Sequence, residues 1–92
     1  MNSPLTEQFI KQQLGPLLRL EPYQSDDLLR TLSEILSYNS RSTIANRLHV
    51  HPKTISYRRA RLEKLLRVDF DNPLTRTDLL VALRLYQIHK SR

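Results

Sequence analysis

Ninety-two residues without a cysteine allow one hydrophobic core, exclude disulfides and thiolate metal sites, and suit a reducing cytoplasm. No apolar run approaches the roughly 18 residues of a membrane span, and the start, Met1-Asn2-Ser3-Pro4, lacks the basic and then apolar pattern of a signal peptide. The net charge of +6 is uneven: from Arg41 to Arg67 eight cations accompany one acid, Glu63, whereas the rest of the chain holds seven cations and eight acids. That is the electrostatic footprint of a polyanion partner, although a solvated face with lopsided charge would look the same.

Five helices are expected. Ser3 can cap the first, with Pro4 at its first position. Leu5, Phe9 and Gln13 form a stripe beside Ile10 and Leu14, and Gly15-Pro16 should end the helix. Leu17, Leu18 and Leu20 then read as an apolar connector. The second helix should run from a Ser25 cap to Tyr38, with Asp26 and Asp27 in its first turn, where the helix dipole favours them. Leu28, Leu32, Ile35 and Leu36 form its core stripe, and Asn39-Ser40 breaks it. A short third helix spans 41–48, with Ile44, Ala45 and Leu48 on its apolar side. The fourth runs from Pro52 to about Arg67, capped by His51, with Ile55, Leu62 and Leu66 pointing inward. Val68 and Phe70 anchor the following loop. The last helix starts near Pro73, or at a Thr75 cap. Leu79, Leu80, Leu83 and Tyr86 give it a core face, widened by Ala82, Leu85 and Ile88, and the tail from His89 to Arg92 should fray.

No period-2 alternation, internal repeat or long linker interrupts this pattern. The expected fold is therefore all-α: a small five-helix domain with a central helix-turn-helix and no sheet. Residues 1–24 would form an N-terminal helix and connector packed on the body, residues 25–92 the helix-turn-helix unit, and the two together one structural domain. The single glycine, Gly15, argues against a phosphate-cradling loop. No nucleophile stands beside a base and no cofactor loop exists, so neither an enzyme nor a cofactor is expected.

A helix-turn-helix needs a small residue where its two helices cross, apolar neighbours around it, and a short turn. Ala45 is that small residue, flanked by Ile44 and Leu48, with Val50 in the turn and Ile55 opening the second helix. His49 stands where glycine is common, and Arg58 where an aliphatic residue is common. On a helical wheel Lys53, Tyr57, Ala60 and Lys64 oppose the inward stripe, flanked by Ser56 and Arg61. The major groove admits such a helix. Lys53, Ser56, Tyr57 and Arg61 are the candidate base readers, and Arg41, Ser42, Thr43, Thr54 and Lys64 the candidate phosphate contacts. Tyr57 packing on a neighbouring surface is the plainer alternative for that residue. Arg58 and Arg59 lie at the margin of the inner face, where they snorkel or pair with acids of the second or fifth helix. His49 and His51 have no cysteine or carboxylate ligand nearby, so a turn and a cap are expected of them rather than a metal.

From the second helix onward the chain resembles the C-terminal helix-turn-helix domain of the PucR family, which includes CdaR-like regulators. The residues that carry the resemblance are Leu28-Leu29-Arg30-Thr31-Leu32, Ile44-Ala45-Asn46-Arg47-Leu48, and the stretch from His49 to Leu66, with Val50-His51, Thr54, Tyr57-Arg58 and Leu62-Glu63 in the family's pattern. Asp69, Pro73, Arg76 and Ala82-Leu83 fit the closing segment, and Leu14-Gly15-Pro16-Leu17 the lead-in, giving coverage of about residues 14–88. Pro52-Lys53 stands where the family usually carries arginine-asparagine, and Arg59 where an aliphatic residue is common. The resemblance implies a bacterial, cytoplasmic transcription regulator in which a sensor region normally precedes this domain in a longer chain, with a free-standing version as the alternative. Double-stranded DNA is the expected partner, bound by a homodimer, because one module presents a small interface and helix-turn-helix binding commonly pairs two half-sites. The last helix, the first segment or a missing sensor region would supply the dimer contact. A helical protein-interaction or dimerisation module with an incidental basic face is the competing reading. RNA binding is a third, weakened by the lack of paired stacking aromatics.

Overall fold

A computed structural model describes residues 3–91. The described residues form five helices and no strand: α1 (Pro4–Leu18), α2 (Pro22–Ser37), α3 (Arg41–Leu48), α4 (Pro52–Leu66) and α5 (Pro73–Lys90). Proline opens four of the five. Its fixed φ suits a first helical residue, and its missing N–H would find no acceptor there anyway.

Side chains complete most of the remaining caps. Ser3 Oγ accepts from Thr6 N, Ser40 Oγ from Thr43 N, His51 Nδ1 from Lys53 N, and Asn72 Oδ1 from Leu74 N and Thr75 N. The His51 cap is as the sequence predicts. Asn72 rather than Thr75 caps α5, which fixes Pro73 as its first residue.

Three boundaries differ from the sequence reading. First, α1 continues through Gly15-Pro16 to Leu18. Proline inside a helix costs about 3 kcal/mol. Leu14 and Leu17, on either side of that break, are wholly buried, and each such side chain contributes about 1.5–3 kcal/mol. Burial therefore outweighs the lost hydrogen bond, and Leu17 and Leu18 belong to the helix rather than to a connector. Second, α2 starts at Pro22 with Glu21 as N-cap, not at Ser25. Ser25 is buried within the helix, so Asp26 and Asp27 lie beyond the first turn, and a division between residues 24 and 25 falls inside α2. Third, α5 stays helical through His89 and Lys90 instead of fraying there. Met1, Asn2 and Arg92, at the ends of the two expected segments, lie outside the described residues.

The core joins all five helices. Ile10, Leu14 and Leu17 of α1 meet Leu28, Leu32 and Ile35 of α2, Ile44 and Ala45 of α3, Ile55 and Leu62 of α4, and Leu79 and Ala82 of α5. Phe70, in the loop before α5, is buried as well, and Val68 packs partly against the core. The helix α1 lies against α2, α4 and α5, while α5 lies against α1 and α2 and has no close backbone approach to α4. Two expected core residues are outside: Leu5, near the start of α1, and Ile88, near the end of α5, are both exposed. A stripe drawn by helical period alone runs on past the end of the surface that covers it.

Candidate nucleic-acid interface

The pair α3–α4 is held by a tight turn. His49 adopts the left-handed conformation, φ 58° and ψ 42°, which explains why glycine is common at this place in such motifs. Val50 N donates to Ala45 O at 3.0 Å and His49 N to Asn46 O at 3.3 Å. This doubly bonded termination satisfies two carbonyls at the end of α3 and redirects the chain into α4. Ala45 is 1% exposed at the crossing, so the backbones approach over a methyl group. Ile44 and Ile55 are buried on either side of it.

The basic segment divides into bound and free cations. Arg47 donates to both carboxylate oxygens of Glu34, with the shorter bond 2.7 Å, and lies over the Tyr38 ring at 4.4 Å. The Glu34 hydrogen bond raises the guanidinium pKa further, so this residue stays charged and ties α3 to α2. Arg58 reaches the buried Thr31 hydroxyl at 3.2 Å, and that hydroxyl in turn donates to Asp27 O. Arg59 pairs with Asp71 at 3.2 Å and lies over Phe70. The sequence reading left two roles for Arg58 and Arg59, snorkelling or pairing with acids of the second or fifth helix. The structure supplies a threonine of α2 for Arg58 and a loop aspartate for Arg59. Glu63, the one acid of the basic stretch, is also engaged, accepting from Phe70 N at 3.1 Å. Among the described residues, Arg41, Lys53, Arg61, Lys64 and Arg67 form no ion pair.

Four of those five lie on or beside the outward side of α4 or at the start of α3. Lys53, Tyr57, Ala60 and Lys64 are exposed, as the wheel requires, and Tyr57 is 68% exposed. At that exposure Tyr57 is not part of the domain's own core. Ser56 and Arg61 are half-buried on opposite flanks of the face, and Thr54 is half-buried at the first turn. Arg41, Ser42 and Thr43 are exposed at the start of α3.

Arg41 Nη1 donates to Ser56 Oγ at 2.8 Å, a bond that brings a candidate phosphate contact onto a candidate base reader. A hydroxyl has a second lone pair and a proton of its own, so Ser56 keeps a donor for another acceptor. Ser42 Oγ lies 3.0 Å from the capping Ser40 Oγ.

Beside this flank lies a hollow of about 450 Å³ lined by Asn39, Arg41, Ser56, Arg59, Asp71 and Arg76, among others. The sequence reading did not single out Asn39 or Arg76 for the site. Arg76 donates to Ile35 O at 2.8 Å and to Phe70 O at 3.3 Å, which locks the last turn of α2 to the loop. No local pattern announces it, because its acceptors are backbone carbonyls far away in the chain.

The family model of the PucR C-terminal helix-turn-helix domain matches residues 28–85. The chain belongs to that family. The match begins within α2 and ends within α5, so α1 lies outside it. Neither curated proteins nor solved structures gave a match. Membership in the PucR helix-turn-helix family points to double-stranded DNA as partner and to a transcription regulator rather than an enzyme. Among the described residues no helix is long and apolar enough to cross a membrane.

Proposed function

We propose that this PucR-type domain binds duplex DNA sequence-specifically as part of a bacterial, cytoplasmic transcription regulator, with α4 in the major groove. The observation that carries the reading is the free side of α4. Lys53, Tyr57, Ala60 and Lys64 share one exposed face, no acid pairs with its lysines among the described residues, and the start of α3 stands beside it through the Arg41–Ser56 bond.

Lys53, Ser56, Tyr57 and Arg61 read base edges. Lysine and arginine donate to guanine acceptors, Ser56 donates its hydroxyl proton, and the Tyr57 ring meets a thymine methyl or a base edge. Arg41, Ser42, Thr43, Thr54 and Lys64 hold phosphates, helped by free N–H groups at the start of α3. Two copies meet two half-sites, because one such module offers few base contacts. The family description, a C-terminal domain, supports a sensor region ahead of it in a longer regulator.

Selection of duplexes from a random pool tests this. An inverted repeat with half-sites about 10 base pairs apart, or a multiple of that spacing, is expected; a pool without enrichment contradicts sequence-specific binding. Arg61→Ala should then lose about 1–3 kcal/mol of discrimination at one base position. Unchanged preference removes Arg61 from the reading set.

A further inference from the structure

The hollow between the start of α3, the Ser56 flank of α4 and the loop before α5 gathers three guanidinium groups, those of Arg41, Arg59 and Arg76, around one carboxylate, that of Asp71. Arg76 contributes charge rather than open donors, since it already bonds Ile35 O and Phe70 O, and it forms no ion pair among the described residues. Arg41 commits Nη1 to Ser56 and Arg59 commits Nη2 to Asp71, so each keeps further N–H donors. Ile55 and Phe70 line the same hollow, and charges attract more strongly beside such apolar surface than in open water. A single exposed carboxylate leaves most of this positive charge without a counter-charge from the chain itself.

We propose that the hollow seats a phosphate of the duplex backbone, and that Arg59 leaves Asp71 to hold that phosphate beside Arg41. This rests on the reading of α4 as the groove helix. A helix in the major groove, about 12 Å wide, has a sugar-phosphate strand along each flank. Ser56 and Arg59 are one turn apart and share a flank, and Ser56 is a candidate base reader bonded to the candidate phosphate contact Arg41. The hollow therefore opens where one strand passes.

The exchange of partners follows from exposure. The Asp71 side chain is 87% exposed, and a pair that open to water holds its cation weakly. A phosphate offers its unesterified oxygens to the arginine fork, at a place where the charges of Arg41 and Arg76 add to the attraction. The Phe70 ring, 5.5 Å from the Arg59 guanidinium, keeps that group at the hollow while its partner changes. Arg59 stands where the family commonly has an aliphatic residue, so the seat is a feature of this chain rather than of the fold.

The test uses a duplex selected by the protein, with single neutral methylphosphonates placed along each strand in turn. Wild type should lose affinity when the seated phosphate is replaced. Arg59→Gln should show a smaller loss at that position and unchanged losses elsewhere. It should also lower the slope of log affinity against log salt by about 0.9 per domain, so that between 50 and 200 mM salt it loses about 3-fold less affinity than wild type. Arg59→Lys, which keeps the charge, should keep the wild-type slope, and helical circular dichroism checks that each variant is folded. Asp71→Asn, which releases Arg59, should bind more tightly than wild type. Base preference should stay the same in every variant, because a phosphate contact carries no sequence information. Equal methylphosphonate losses and equal salt slopes in wild type and Arg59→Gln overturn the seat. Absence of a gain in Asp71→Asn overturns the exchange. Saturable shifts of the Arg59 side-chain N–H with inorganic phosphate alone, alongside equal methylphosphonate losses, assign the hollow to a small free anion and overturn the backbone seat. Wild type that binds no duplex overturns this proposal together with the reading of α4, whereas binding that is indifferent to Arg59 overturns this proposal alone.

Discussion

His49 occupies a backbone conformation that costs an L-residue about 1–2 kcal/mol, and it does so because the turn between α3 and α4 needs it. Glycine would remove that cost but return freedom to the unfolded chain, worth about 0.4–1 kcal/mol. His49→Gly should therefore leave stability, read by urea unfolding, unchanged or raise it by up to about 1.6 kcal/mol. His49→Val, a β-branched residue at φ 58°, should lower stability by at least about 1 kcal/mol. Equal stability of the two variants would mean that the turn relaxes to another conformation. The same residue-scale logic explains Arg58. An aliphatic side chain at its place, common in helix-turn-helix motifs at large, would leave the buried Thr31 hydroxyl without the guanidinium it now meets.

At the scale of elements, the crossing of α3 and α4 depends on Ala45. Ala45→Leu adds three heavy atoms where 1% of the residue is exposed, and overpacking of this kind costs about 1–3 kcal/mol. Wild-type melting of that variant would place the crossing elsewhere. Helices α3 and α4 were legible in the sequence because their signals are local: a turn residue, proline after a capping histidine, and apolar residues at helical period. The ends of α1 and the start of α2 were not. Gly15-Pro16 is a stop signal that only the burial of Leu14 and Leu17 overrides, and burial depends on α4 and α5. Pro22 is itself a helix-opening signal, but Glu21 before it makes no side-chain cap bond, whereas Ser25 has the better capping chemistry. The outward face of α4 could be drawn on a wheel, whereas the Arg41–Ser56 bond and the Arg59–Asp71 pair could not, since each joins elements whose spacing in the sequence carries no pattern.

For the molecule as a whole, charge decides more than shape. The excess of +7 between residues 41 and 67 is reduced in effect by the pairing of Arg47 and Arg59 with acids, and what is left lies largely around α4 and the start of α3. If four cations of one domain each neutralise a phosphate, affinity for duplex should fall about 100-fold between 50 and 200 mM salt. A response independent of salt would favour a protein-interaction module with an incidental basic face. The central claim, that the outward side of α4 meets the duplex, is tested most directly by following backbone amide shifts while a selected duplex is titrated into labelled protein. The largest changes should fall on Lys53, Ser56, Tyr57, Arg61 and Lys64 of α4 and on Arg41 to Thr43 of α3. Changes confined to α1 and α5, with α4 unmoved, would contradict it.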